Sequence, residues 1–104
     1  MESDWKKFSA MIPMLRERYL AAVNAKAAMI LTDPRRSETE RFWDAMELME
    51  KEAKVLRRCL DGHSRSKMEF FMLDMIAHGM LKQEDLAGFG EELRGRLSQF
   101  FPER

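Results

Sequence analysis

The chain has one cysteine, Cys59, in 104 residues. An intramolecular disulfide is therefore impossible, and a reducing compartment is the simpler expectation. There is no net charge: eighteen Lys and Arg balance eighteen Asp and Glu. That excludes a uniformly basic polyanion-coating protein and an acidic-tail protein. No charge-free run approaches the ~20 residues that span a bilayer, so no membrane partner is expected. The opening Met1-Glu2-Ser3-Asp4 is acidic and unlike the start of a secretory signal, which together with the lone thiol implies a cytoplasmic protein. Helix breakers are scarce, with three prolines and five glycines. No segment alternates like a strand.

What is abundant is helical spacing. A 45% apolar fraction can fill a core, which argues against disorder. The breakers cut the chain into about four helices, and the pattern predicts an all-α fold. A compact bundle in a single domain, residues 1–104, with an antiparallel helical hairpin at its core, is the expected architecture.

The first helix is predicted from about Ser3 to Leu31. Its seam is Trp5, Phe8, Ile12, Leu15, Tyr19, Ala22, Lys26 and Met29, alternating steps of three and four. Pro13 interrupts it and predicts a kink or a split, because an interior proline costs about 3 kcal/mol. Lys26 occupies a seam slot, with its stem packed and its ammonium reaching water. Asp33-Pro34 ends this helix.

Ser37-x-x-Glu40 then reads as a capping box opening a second helix, about Glu38 to Leu60. Phe42, Met46, Met49, Ala53, Leu56 and Leu60 form its main seam, within an arc of roughly 80°. Leu48, Val55 and Cys59 form a second, partial seam about 120° away. Two seams predict two neighbours and a central position. Glu47–Lys51 and Glu50–Lys54 stand at i,i+4 in the favourable order.

Asp61-Gly62 closes the second helix. Ser66-x-x-Glu69 reads as another capping box, before a third helix from Lys67 to His78. That helix is apolar nearly all round, which predicts burial on most sides. Gly79 fits its C′ position. A last helix, about Gln83 to Phe101, carries Leu86, Phe89, Leu93, Leu97 and Phe100. Gly88 and Gly90 make a break within it the expectation.

Chemistry-bearing motifs are few. Gly88-x-Gly90 lacks the strand context of a phosphate loop. There is no GxSxG elbow. Cys59-x3-His63 with Asp74-x3-His78 has metal-ligand spacing, but Gly62 should unwind the chain before His63. The expectation is a structural role for all four, with no metal, no cofactor and no catalytic residue. Met68–His78 followed by Gln83–Leu97 has helix-turn-helix length, but Glu84, Asp85, Glu91 and Glu92 would repel phosphates.

Nine internal methionines remain, five of them in the second helix's main seam and the third helix. Methionine suits both irregular cores and adaptable binding surfaces. Two functions follow as expectations. The first is a non-catalytic protein-interaction or regulatory module that self-associates or takes a protein partner. Its candidate contacts are Met68, Phe71, Met72, Met75, Met80 and Trp43. The second is a nucleic-acid-associated regulator that uses Lys51, Lys54, Arg57, Arg58, Arg65 and Lys67 after dimerisation. The charge blocks of +2, −3, +4 and −3 over residues 1–30, 31–50, 51–67 and 68–104 favour complementary subunit contacts over polyanion binding.

Overall fold

The structure, a computed structural model, describes residues 2–102. Four α-helices occur among the described residues: α1 (Glu2–Leu31), α2 (Glu38–Leu60), α3 (Met68–Ala77) and α4 (Glu91–Ser98). Short 3₁₀ segments, Arg65–Lys67 and Gln83–Gly88, precede α3 and α4. The fold is all-α, as the spacing predicts. α1 and α2 form a long antiparallel hairpin, and α3 and α4 pack against one end of it. The molecule is accordingly elongated, 52 × 31 × 17 Å.

Capping fixes the start of α2. The Glu40 amide donates to Ser37 Oγ at 3.1 Å, and the Ser37 amide donates to Glu40 Oε1 at 2.8 Å. This is the reciprocal box that the sequence predicts. Ser37→Ala should lower stability by about 1 kcal/mol. A fall in melting temperature of about 4–8 °C is the expected reading, and an unchanged melt would deny the box any weight.

At the other end of the bundle, Gly79 takes φ +74°. The Met80 amide then reaches the Met75 carbonyl at 2.8 Å, and the Gly79 amide reaches that of Ile76 at 3.1 Å. This paired closure needs the left-handed conformation that glycine supplies without steric cost. It turns Met80 and Leu81 inward, where both are buried.

Four expectations are corrected. Of the kink or split expected at Pro13, the split is not made, since α1 runs as one helix through it. Both Pro13 and Ser9, whose carbonyl loses its donor, are exposed, so water can replace the missing bond. The inward seam of α1 continues from Tyr19 to Val23, Ala27 and Ile30, not to Ala22, Lys26 and Met29. A straight helix drifts about 20° per heptad from a 3.5-residue repeat, and Lys26 is carried out to solvent. Ser66 does not cap α3; Glu69 binds Arg96 instead, at 3.0 Å. The last helix is broken near Gly88–Gly90, as expected, but it ends at Ser98, leaving Phe100 exposed and Phe101 against the core.

The core gathers Phe8, Ile12 and Leu15 of α1, Cys59 of α2, Met68, Met72, Met75 and Ile76 of α3, and Leu93 and Leu97 of α4. Met80, Leu81, Leu86 and Phe89 complete it from the connections. Polar clamps hold the small elements on α1. Arg18 grips Asp85 with both guanidinium nitrogens, at 3.1 and 2.6 Å, and donates to the Met80 carbonyl at 3.0 Å. The Gly90 amide, at the start of α4, donates to the buried Asp4 carboxylate at 2.8 Å.

Candidate functional site

The core cluster occupies only one end of the hairpin. Beyond it, α1 and α2 continue as a two-helix arm. The arm's own seam is thin and made of small side chains: Val23, Ala27 and Ala45 are buried there, outside the main cluster. Small residues let the two helices approach closely, but they leave the wider faces of the arm uncovered.

The Asp33 turn at the tip is well tied. Asp33 accepts from the Arg35 amide at 2.9 Å and pairs with Arg36 at 3.1 Å. Arg36 also reaches Asp44 at 3.0 Å, and Arg41 donates to the Asp33 carbonyl at 2.9 Å. Arg36 is therefore spent on organising the turn, and the largely exposed Arg35 guanidinium also reaches Asp33, at 3.3 Å. The arm is a formed element that holds its surface side chains in place.

That surface carries a run of exposed apolar side chains, while on the bundle end Phe70 of α3 is 73% exposed. Phe42 is 53% exposed, Trp43 60%, Met46 38% and Met49 48%. Phe42 and Trp43 meet edge to face, with centroids 5.0 Å apart. Phe42, Met46 and Met49 are three members of the seam that sequence spacing makes the inward face of α2. The structure reverses that assignment. The face turned to α1 is the partial seam, extended through Ala45 and Glu52: Ala45 and Cys59 are buried, and Leu48, Glu52 and Val55 half-buried. Ala53, Leu56 and Leu60 of the main seam are half-buried at the core end. Along the arm the same stripe meets solvent.

The sequence-derived contact residues divide accordingly. Met68, Met72, Met75 and Met80 are buried in the core, so they are withdrawn as docking residues. Phe71 is half-buried and stacks edge-on against His63 at 4.5 Å. Trp43 alone of the six stands on the surface. Sequence reasoning left Met46 and Met49 between core and interface, and read Phe42 as core alone, because their spacing is that of a core.

Two of the six basic candidates are engaged in ion pairs. Arg58 pairs with Asp74 at 3.3 Å. Arg65 pairs with Glu2 at 2.8 Å and lies 5.6 Å over the Trp5 ring. Lys51, Lys54, Arg57 and Lys67 are exposed. Among the described residues, Glu47, Glu50, Lys51, Lys54 and Arg57 form no ion pair, so the expected Glu47–Lys51 and Glu50–Lys54 bridges are not made.

The Cys59, His63, Asp74 and His78 set does not converge. His63 Nε2 donates to the Cys59 carbonyl at 2.7 Å, capping the end of α2, while its ring lies edge-on to Phe8 at 5.1 Å. His78 Nδ1 is 2.9 Å from the Asp74 carbonyl and 3.9 Å from Cys59 Sγ. Burial, reinforced by the Asp74 charge, pushes the Cys59 thiol up to about 11. A nucleophilic cysteine needs the opposite shift. Among the described residues, no group of three or more His, Cys, Asp or Glu side chains is placed to hold a metal.

A groove of about 500 Å³ between the two long helices is lined by Lys26, Lys51 and Lys82 around Tyr19 and Glu52. Tyr19 donates to Glu52 at 2.5 Å, and burial together with that carboxylate raises the phenol's pKa. The phenol stays neutral and serves as a strut between α1 and α2. No helix is long and apolar enough to cross a membrane among the described residues. No family model, curated protein or solved structure matches the chain.

Proposed function

We propose that the chain is a non-catalytic protein-interaction module of the cytoplasm that docks through the arm, with Phe42, Trp43, Met46 and Met49 of α2 as the contact surface. One observation carries this reading. α2 is apolar on two seams, and over the length of the arm the fold covers only one of them. Helix faces of this kind are buried by a neighbour, and contiguous exposed apolar patches mark interaction sites. Two aromatic rings and two methionines also form the mixture that interfaces favour: large contact area with adaptable fit.

Methionine oxidation footprinting inside producing cells tests the proposal directly. Met29, 72% exposed, should oxidise readily, while the fully buried Met72 and Met75 should resist. Met46 and Met49 should be protected in the cell and become reactive in the purified chain at high dilution. If they oxidise equally fast in both settings, nothing covers the arm and the reading fails.

A further inference from the structure

We infer that the arm is covered by the arm of a second copy, with α2 running antiparallel to α2 about a two-fold axis at the level of Lys51. This deepens the docking reading and rests on it. The first support is register. Phe42, Met49 and Leu56 alternate with Met46, Ala53 and Leu60 in steps of four and three, an unbroken heptad seam of about 27 Å. Laid antiparallel about residue 51, Phe42 meets the partner's Leu60, Met46 the partner's Leu56, and Met49 the partner's Ala53. Every layer then pairs an exposed member of the stripe with a half-buried one.

The second support is charge. Glu47 and Glu50 lie before the axis, and Lys54 and Arg57 after it, on the flank of the stripe away from α1. All four are exposed and unpaired among the described residues, although i,i+4 spacing would allow Glu50 to reach Lys54 within the helix. A parallel copy would carry this flank to the far side of the partner's stripe, away from its counterpart. An antiparallel copy sets Glu47 and Glu50 beside the partner's Lys54 and Arg57. It also brings Trp43 towards the partner's Arg57, where ring and guanidinium can stack. A two-fold interface must complement itself, and a stripe that is acidic in one half and basic in the other does so. An unrelated partner would have no reason to find that symmetry.

Charge reversal in the full-length chain, followed by sedimentation velocity over a concentration series, tests the pairing. The wild type should dimerise, and salt should weaken it. Glu47→Lys with Glu50→Lys, and separately Lys54→Glu with Arg57→Glu, should each weaken self-association by about tenfold or more, since like charges now face each other. An equimolar mixture of the two variants should restore association, because these four positions are now all basic in one variant and all acidic in the other. All four positions are exposed, and circular dichroism should report wild-type helicity throughout. A wild type that stays monomeric at its highest soluble concentration overturns the inference, as does a mixture that associates no better than its components. If Met46 and Met49 are nevertheless protected in cells, a different protein covers the arm and the docking reading stands. Unprotected methionines remove both.

Discussion

Met72→Glu should leave the chain unfolded at neutral pH, whereas Met46→Glu, four turns or more from any main-cluster methionine in sequence, should leave it folded. Met72 is fully buried at the centre of α3, within the cluster that joins α1, α3 and α4. Removing a buried methionine side chain costs about 2–5 kcal/mol in transfer and cavity terms. An unpaired carboxylate in its place adds several kcal/mol, whether it stays ionised or takes up a proton to remain buried. A domain of this size has only about 5–15 kcal/mol of stability to lose. Met46 is 38% exposed and its stripe faces solvent, so a carboxylate there keeps its hydration and shifts stability by about 0.5 kcal/mol. Far-ultraviolet circular dichroism with urea titration separates the two, provided it is run dilute enough that any association through the arm is absent. A cooperative, wild-type-like transition for Met72→Glu would contradict the core assigned to α3.

The contrast between those two methionines also marks how far the sequence could be read. Element boundaries were legible wherever a local chemical device sets them. Ser37 and Glu40 start α2, Gly62 follows its end at φ +77°, and Gly79 closes α3. These signals act within a turn of chain, so spacing reveals them. The facing of α2 was not legible, because both of its seams are apolar and the longer one looks the stronger. Ala45 decides the matter: its small side chain lets α1 approach on the other side, a fact about two helices at once. α1 misled for a related reason, since a strict heptad and a straight helix agree for two heptads and part company by Val23. Contacts between distant residues left no trace in spacing. Arg18 with Asp85, Glu69 with Arg96, and Asp4 with the Gly90 amide all rest on charged side chains that a helical wheel assigns to solvent. The proposed docking surface was half legible. Trp43 stood out as an apolar residue off the main seam, Met46 and Met49 read equally as core or interface, and Phe42 was hidden by resembling a core.

Arg18→Ala should lower stability by about 2–3 kcal/mol at neutral pH, and most of that difference should vanish in acid. Asp85 is nearly buried, with a side chain 9% exposed, whereas Arg18 is 34% exposed. The pair thus falls between exposed bridges, worth about 0–1 kcal/mol, and buried ones, where losing one partner costs about 3–5 kcal/mol. Burial alone would raise the Asp85 pKa. The Arg18 guanidinium and the Lys82 amide, which donates at 2.7 Å, outweigh that effect and hold it below its ordinary value of 3.8. A carboxyl with a depressed folded-state pKa binds protons more readily when the chain is unfolded. Its stabilisation is therefore complete above the ordinary value and is lost as pH falls through the depressed one. Without Arg18, the desolvated carboxylate keeps only the Lys82 amide, and the Met80 carbonyl loses its donor. The connection from α3 to α4 then comes loose from α1. Urea titrations of wild type, Arg18→Ala, Asp85→Ala and the double variant, at pH 7 and again near pH 3, form the required cycle. The coupling should be largest at pH 7 and shrink in acid. A coupling that is absent at pH 7, or that grows as Asp85 takes up its proton, would show that the clamp contributes geometry alone.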